Sequence, residues 1–178
     1  MRRDDEPVRI VAYDASWQAQ FEQEKALLEP VTRVWTTGGV HHVGSTAVPG
    51  LAAKPVIDIL IGVEDLPSTR GCVEELAKLD YLYAPYRSDE MHWFCKPHPS
   101  HRTHHLHLVP TGSRRYLAEL AFRDALRGRP DLAAEYAELK RTLADRHGND
   151  REAYTEAKGA FIAAVLGDAL SSSGSPTD

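Results

Sequence analysis

A glycine-containing turn in the first third of the chain carries the residue types best suited to bind a phosphate. In the stretch HVGSTAVPGLAAKPVIDILIGV, Gly44 permits a tight turn, and the hydroxyls of Ser45 and Thr46 follow it directly. Backbone N–H groups and hydroxyls exposed in such a turn can bind an anion. We therefore predict that Gly44, Ser45 and Thr46 contact a phosphate group.

Two charged residues follow this turn. Lys54 comes just before an apolar run, and its mobile ammonium can reach a phosphate. Asp58 lies inside the apolar run, where a carboxylate without a partner would be costly. Either a bound ligand or the N–H groups of the preceding loop can supply that partner.

Histidines are concentrated in one later segment. Six of the nine histidines lie between residues 92 and 107, and His105 and His107 share one face of a predicted strand. We expect one of this pair to act as a base or to donate a hydrogen bond to phosphate. With His101 or Asp58 as a third ligand, the pair can instead bind Zn²⁺ or another transition metal. Structural or surface roles are expected for His92, His98 and His104.

Two tyrosine and lysine pairs occur on predicted helices near the C-terminus. Tyr136 and Lys140 are four residues apart, as are Tyr154 and Lys158, so each pair shares one helical face. Each pair can present a ring and an ammonium to one pocket. Alternatively, the rings pack on a sheet while the lysines extend into solvent.

Composition narrows the classes of protein. The chain has 178 residues and 42% hydrophobic content, which suits one domain, predicted over residues 1–170. A net charge of −5 argues against bulk nucleic-acid binding. No apolar run is long enough to span a bilayer, and neither a paired cysteine motif nor an export signal is evident, so we expect a cytoplasmic protein without a membrane partner. The sequence does not indicate an oligomeric state.

Hydrophobic periodicity predicts strands and helices in an α/β (α+β) order, followed by a Ser, Gly and Pro-rich tail at 171–178 that we expect to be disordered. The predicted strands are Val8–Tyr13, His41–Gly44, Pro55–Val63, Tyr81–Arg87, Met91–Lys96 and His105–Pro110. The predicted helices run from about Asp14 or Ser16 to Trp35, and over Leu66–Leu79, Ser113–Arg127, Pro130–His147 and Arg151–Leu170.

The turn segment, followed in order by HHLHLVP, FRDALR, YAELK and YTEAK, resembles the signature of the GrpB family over almost the whole chain. That family is grouped with the nucleotidyltransferase superfamily, which implies a mixed β-sheet with flanking helices and a C-terminal helical segment. The resemblance also implies binding of a nucleotide or another phosphorylated small molecule. Asp58 would then hold Mg²⁺, and Lys54, Lys140, Tyr154 and Lys158 would surround the ligand. The implied reaction is nucleotidyl transfer to a small acceptor.

One departure from the superfamily pattern keeps two other functions open. The pattern places a second acid two residues after the first, whereas here that residue is Leu60, and the later strand carries histidines instead of a third acid. A non-catalytic module for nucleotides or coenzyme A-related ligands fits this departure, since family members also occur fused to dephospho-coenzyme A kinase. A metal hydrolase that uses His101, His105 and His107 is the other alternative.

Overall fold

A five-stranded mixed sheet with helices on both faces forms the framework of the protein. The computed structural model describes residues 6–172, and only the backbone of 168–172. The strands are β1 Thr36–Val43, β2 Ile57–Val63, β3 Leu82–Tyr83, β4 His92–Pro97 and β5 Arg102–Pro110. The helices are α1 Ser16–Thr32, α2 Cys72–Ala77, α3 Arg114–Gly128, α4 Pro130–His147, α5 Arg151–Ala157 and α6 Gly159–Ser172, with short 3₁₀ helices at Ser45–Ala47 and Ser68–Gly71.

The strands are ordered β1-β2-β5-β4-β3 across the sheet. Strands β2 and β5 are parallel, and the other neighbouring pairs are antiparallel. The predicted mixed sheet with flanking helices is therefore confirmed. Because β2 and β5 are central, side chains on both of their faces are covered, which explains the nearly continuous apolar run in β2.

The two faces of the sheet differ in chemistry because side chains alternate along each strand. The apolar face packs against α1 and α2 and contains the largest buried hydrophobic cluster, including Ile57, Ile59, Ile61, Leu106 and Leu108. The opposite face, called the site face below, carries Asp58, Leu60, His105 and His107 and is covered in part by α3. Substitutions of the polar side chains on the site face should therefore leave the hydrophobic core on the apolar face in place.

The N-terminal strand prediction was wrong. Residues 8–13 form a single β-bridge, in which Val11 and Ala53 exchange backbone hydrogen bonds of 2.9 and 3.0 Å. The side chains of Arg9 and Val11 are exposed, so this segment has no continuous buried face on which a longer strand could pack.

Several predicted boundaries also changed. The helix predicted at 66–79 is a 3₁₀ helix followed by the six-residue α2, as expected where Pro67 and Gly71 interrupt a helical run. The helix predicted over 151–170 divides at Lys158 into α5 and α6, next to Gly159. The strand predicted from Tyr81 shrinks to β3 because Pro85 cannot donate a ladder hydrogen bond.

The ends of other helices follow their capping residues. Ser113 accepts a hydrogen bond from the Tyr116 N–H at the start of α3, and Asp150 accepts from two N–H groups at the start of α5. Pro130 is the first residue of α4, as predicted. Helix α6 extends through Ser172, and the rest of the predicted tail, 173–178, lies outside the described residues.

Within residues 6–172, none of the helices combines the length and the apolar character that crossing a membrane requires.

Candidate functional site

Asp58, His105 and His107 form a polar cluster on the site face. The parallel register places Asp58 beside His105 and Leu60 beside His107. His105 Nδ1 lies 2.8 Å from Asp58 Oδ1, which is hydrogen-bond distance. One potential ligand atom from each of the three residues lies within 4.8 Å of the others. The structure therefore brings together the three residues that were predicted to be catalytic.

Gly44 provides the space that the Asp58 carboxylate occupies. It adopts a φ of +70°, and a Cβ atom at this position would collide with the Asp58 carboxylate. A side chain here would both strain the backbone and displace the carboxylate. The glycine of the predicted phosphate turn thus has a second use, which is to hold the acid in place.

A second carboxylate reaches the cluster from a helix. Glu119 of α3 lies 3.1 and 3.2 Å from His107 Nδ1 through its two oxygens. Arg115 is one turn earlier on α3, and its Nε lies 3.0 Å from Glu119, although its N–H is not aligned for a hydrogen bond. His107 is therefore held between the sheet and an ion pair on α3.

The two histidines have different protonation preferences. Burial lowers the pKa of His105 and outweighs the opposing effect of Asp58. Burial also acts to lower the pKa of His107, but the Glu119 carboxylate outweighs it and the pKa is raised. Burial acts to raise the pKa of Asp58 and of Glu119, but their histidine partners and nearby positive charges lower both. The cluster thus combines two carboxylates with a neutral His105.

Lys54 and Lys158 extend toward Asp58 from different parts of the chain. Burial, followed by repulsion from Arg151, lowers the pKa of Lys54 to about 8. Burial also lowers the pKa of Lys158, and Asp58 opposes this effect. Among the side chains of residues 6–167, neither ammonium has a hydrogen-bond acceptor or an ion-pair partner. Two partly buried positive charges therefore face one carboxylate.

Both tyrosine and lysine pairs have the geometry predicted from their spacing. The Lys140 ammonium lies 4.8 Å from the centre of the Tyr136 ring, and the Lys158 ammonium lies 4.4 Å from that of Tyr154. Lys140 is fully buried and donates to the Ala52 carbonyl, while burial lowers its pKa to about 7. Lys140 thus fixes the loop that leads to Lys54, whereas the Lys158 ammonium has no hydrogen-bond acceptor among the residues that the structure describes.

The two hydroxyl residues of the turn have different environments. Thr46 is buried, lies 3.0 Å from His42 Nε2 and donates to the Val56 carbonyl at 3.2 Å. Both contacts are internal, which favours a structural role. Ser45 is only partly buried, and its side chain lies near the hydroxyl of Tyr136. Of the two, Ser45 is the one placed to contact a ligand.

The donor set around Asp58 differs from the one that Mg²⁺ prefers. This ion takes oxygen ligands in near-octahedral geometry, whereas the cluster offers one carboxylate and two imidazoles. Leu60 fills an apolar cluster with Val43 and Met91, so no second acid is directed to the site from β2. The residues present therefore do not form the magnesium site that the superfamily pattern implies.

The other four histidines of the segment from residue 92 to residue 107 do not join this cluster. His101 is exposed and pairs with Glu6 at 2.8 Å, so the structure does not bring it to the other two histidines. His92 is buried and lies 2.8 Å from the Leu66 carbonyl. His98 is exposed beside Ser100, and His104 points to the opposite face, near Glu24.

Three site residues were not recognised from the sequence. Glu119 lies on α3 between Tyr116 and Arg123, three residues after the buried Tyr116 and therefore on the same side of the helix. An acid on the buried side of a predicted helix was the sequence feature that could have identified it. Arg102 and Arg151 contribute positive charge near Lys54. No local pattern distinguishes these two arginines from surface residues.

Known proteins resemble this chain over nearly its full length. The family model described as GrpB protein matches residues 7–168. The chain belongs to the GrpB family. A UPF0157 protein of Pseudomonas aeruginosa is 38% identical to it, and the match covers 97% of this chain and 72% of that protein.

Two further matches extend the comparison of this GrpB-family chain. The crystal structure of conserved protein GrpB from Enterococcus faecalis has a TM-score of 0.84 at 33% identity and covers 94% of this chain and 100% of that one. A dephospho-CoA kinase of Mycolicibacterium paratuberculosis is 32% identical over 85% of this chain, which corresponds to 43% of that protein. The GrpB-like part is thus a minority of the kinase chain.

Proposed function

We propose that this GrpB-family chain binds a nucleotide or another phosphorylated small molecule on the site face. The observation that carries this proposal is the presence of two ammonium groups, Lys54 and Lys158, without acceptors among the described side chains. A buried or partly buried charge is costly without a partner. A phosphate between these lysines would supply the acceptor that the protein itself does not.

The charge distribution supports an anionic ligand. The whole chain has a net charge of −5, yet Lys54 is surrounded by the positive groups of Arg151, Arg102 and Lys158, with Asp58 as the opposing charge. Such a concentration of one sign in an oppositely charged protein favours a ligand of the other sign and raises its association rate. Phosphate esters are the small anions that best match grouped lysines and arginines.

The turn after β1 supports the same position for the phosphate. Gly44 lies against the Asp58 carboxylate, and the partly buried Ser45 follows it at the start of a 3₁₀ helix. A ligand phosphate near Lys54 and Lys158 would also lie close to this turn.

Transfer of a nucleotidyl group to a small acceptor is the activity that the family resemblance suggests. In such a transfer the acceptor oxygen bonds to the α-phosphorus, the bond from that phosphorus to the leaving group breaks with its electron pair on the leaving group, and the proton of the acceptor passes to solvent water. Grouped cations stabilise the charge that develops on the phosphate oxygens. Lys54 and Lys158 would serve in this role.

A binding module without catalysis is the second candidate. Leu60 favours it, because the position of the second superfamily acid belongs to a buried apolar cluster. The similarity to part of a dephospho-CoA kinase supports a module that works next to a nucleotide or coenzyme A enzyme. Calorimetry that detects tight nucleotide binding together with assays that detect no turnover would select this candidate.

A thermal-shift screen with ATP, ADP, AMP, coenzyme A and dephospho-coenzyme A, with and without Mg²⁺, tests the binding. A ligand at 100 times its dissociation constant stabilises the folded state by about 2.7 kcal/mol, which is readily measured. For any ligand that binds, we expect Lys54→Met and Lys158→Met to weaken affinity at least tenfold in calorimetry.

Lys78→Met is the matched control. Lys78 is an exposed lysine that pairs with Glu75 at 2.6 Å, away from the site face. Its replacement should leave ligand affinity unchanged. The proposal is contradicted if no phosphorylated compound binds, or if the three lysine variants bind equally well. For turnover, Asp58→Asn with unchanged rate and affinity would remove Asp58 from the proposed site.

A further inference from the structure

Each histidine of the cluster uses one ring nitrogen on a carboxylate of the protein. His105 Nδ1 is 2.8 Å from Asp58 Oδ1, and His107 Nδ1 is 3.1 Å from Glu119 Oε2. A neutral imidazole whose Nδ1–H donates to a carboxylate has its lone pair on Nε2. His107 has the arrangement of most metal-binding histidines, whose other nitrogen is held by an outer carboxylate. His105 differs, because its partner Asp58 is itself a candidate ligand.

The second ring nitrogens have no competing contacts. His107 Nε2 has no hydrogen-bond partner among the residues that the structure describes, so its lone pair is available to a ligand. His105 Nε2 also has none, but it lies on the ring edge away from Asp58 and cannot share an ion with that carboxylate. Asp58 also retains a second carboxylate oxygen, Oδ2, which lies against the open backbone of Gly44.

We propose that Asp58, His105 and His107 bind one divalent transition-metal ion of the zinc type. One donor atom from each residue lies within 4.8 Å of the others. Tetrahedral ligands on Zn²⁺, at bond lengths of about 2.1 Å, lie roughly 3.4 Å apart, so donor atoms at the 4.8 Å limit need to close by about 1.4 Å. His105 would bind through Nδ1, and its 2.8 Å contact with Asp58 would open by about 0.6 Å so that the ion lies between the two donor atoms.

The donor chemistry selects the class of metal. Two imidazoles and one carboxylate suit Zn²⁺, Fe²⁺, Co²⁺ and similar ions, whereas Mg²⁺ and Ca²⁺ favour oxygen ligands. All three side chains are only partly buried, so an ion can enter from solvent. Water or an anionic ligand can complete the coordination.

This assignment replaces the role of proton acceptor that the sequence predicted for His105 or His107. A ring nitrogen that donates its lone pair to a metal cannot also take a proton from a substrate. Glu119 then becomes a positioning residue, because it orients His107 without itself binding the ion. The metal site does not depend on the phosphorylated ligand and can be tested without it.

Titration of chelator-treated protein with Zn²⁺ alone tests the site by calorimetry, and Co²⁺ serves as a visible-absorption probe. We expect one ion per chain, a Co²⁺ spectrum typical of four or five ligands, and no competition from millimolar Mg²⁺. His105→Gln and His107→Gln should each lower Zn²⁺ affinity at least 100-fold, and Glu119→Gln about tenfold, in line with the effect of outer-shell partners.

His98→Gln and His101→Gln are the matched controls, since both histidines are exposed and outside the cluster. Their affinities should equal that of the wild type. In case a cluster variant fails to fold, ¹⁵N NMR of the wild type with Zn²⁺ gives an independent result, which is a shift of one ring-nitrogen signal from each of two imidazoles. Absence of binding, unshifted imidazole signals, or equal affinity in the cluster and control variants would overturn the proposal.

The metal titration and the nucleotide screen give separable results. Zn²⁺ binding without any nucleotide binding contradicts only the proposed function. Nucleotide binding without Zn²⁺ binding contradicts only the metal site.

Discussion

The two faces of the same central strands have opposite chemistry. On one face, Ile57, Ile59 and Ile61 of β2 pack with α1 and α2 in the main core. On the other, Asp58 of the same strand contacts His105 of β5. Neighbouring residues therefore serve stability and function separately. We therefore expect a substitution on the apolar face to change stability, and one on the site face to change binding, with the other property nearly unchanged in each case.

Adjacent substitutions in β2 test this separation most strongly. Ile59→Ala should lower the free energy of unfolding by about 2–5 kcal/mol, because it removes buried methyl groups and leaves a cavity. Asp58→Asn should cost only about 1 kcal/mol, since the amide oxygen can still accept from His105. Urea unfolding measures both changes.

Ligand and metal titrations complete that comparison. At temperatures below its unfolding midpoint, Ile59→Ala should bind the phosphorylated ligand and Zn²⁺ with the affinities of the wild type. Asp58→Asn, in contrast, should lose Zn²⁺ affinity. Ile59→Val, expected to cost about 1 kcal/mol, controls for repacking. Equal losses of binding in Ile59→Ala and Asp58→Asn would show that the two faces are not independent.

A pair of glycine substitutions tests how the turn supports the site face. Gly44 and Gly50 both have a positive φ, of +70° and +79°, but only at Gly44 would a Cβ atom meet Asp58. Gly50→Ala should cost about 1 kcal/mol from backbone strain alone. Gly44→Ala should cost roughly 3 kcal/mol, because overpacking is added to the strain.

Thermal denaturation and Zn²⁺ calorimetry on both glycine variants give the measurement. Only Gly44→Ala should also weaken metal binding, because it displaces the carboxylate. If both variants lose the same stability and retain the same Zn²⁺ affinity, the contact between Gly44 and Asp58 has no role in the site.

The pH dependence of stability should come in part from the helices that cover the site face. Burial lowers the pKa of Lys140 to about 7, well below its ordinary value of 10.5. Between these two values the unfolded chain binds more protons than the folded protein, so stability rises with pH, by at most about 1.4 kcal/mol per pH unit for this lysine. Below pH 7 both states are protonated and the contribution is constant.

Lys140→Met should reduce that rise between pH 7 and 10, as measured by urea unfolding at several pH values. The exposed Lys78 supplies the control, since Lys78→Met should leave the slope unchanged. An identical pH profile for wild type and Lys140→Met would show that Lys140 has an ordinary pKa in the folded protein.

Periodicity in the sequence was enough to predict the central strands and their chemistry. The apolar run of β2 indicated a strand covered on both faces, and the alternation in β5 placed His105 and His107 on one face. The helices α3 and α4 were predicted to begin at Ser113 and Pro130, and they begin at Arg114 and Pro130. These features are local, so the residues themselves specify them.

Contacts between distant elements could not be predicted in this way. The pairing of Asp58 with His105 depends on the parallel register of β2 and β5, which no local pattern specifies. Glu119 reaches His107 only because α3 packs across the sheet, and Lys158 reaches the site because a helix divides beside it. The spacing of these residues along the chain contains no information about those packing angles.

A crystal structure of the protein grown with its most stabilising nucleotide or coenzyme A fragment tests the proposed function most directly. We predict a phosphate group within hydrogen-bond distance of both Lys54 Nζ and Lys158 Nζ, on the same face of the sheet as Asp58. A phosphate bound elsewhere, or one that contacts neither lysine, would contradict the proposed function.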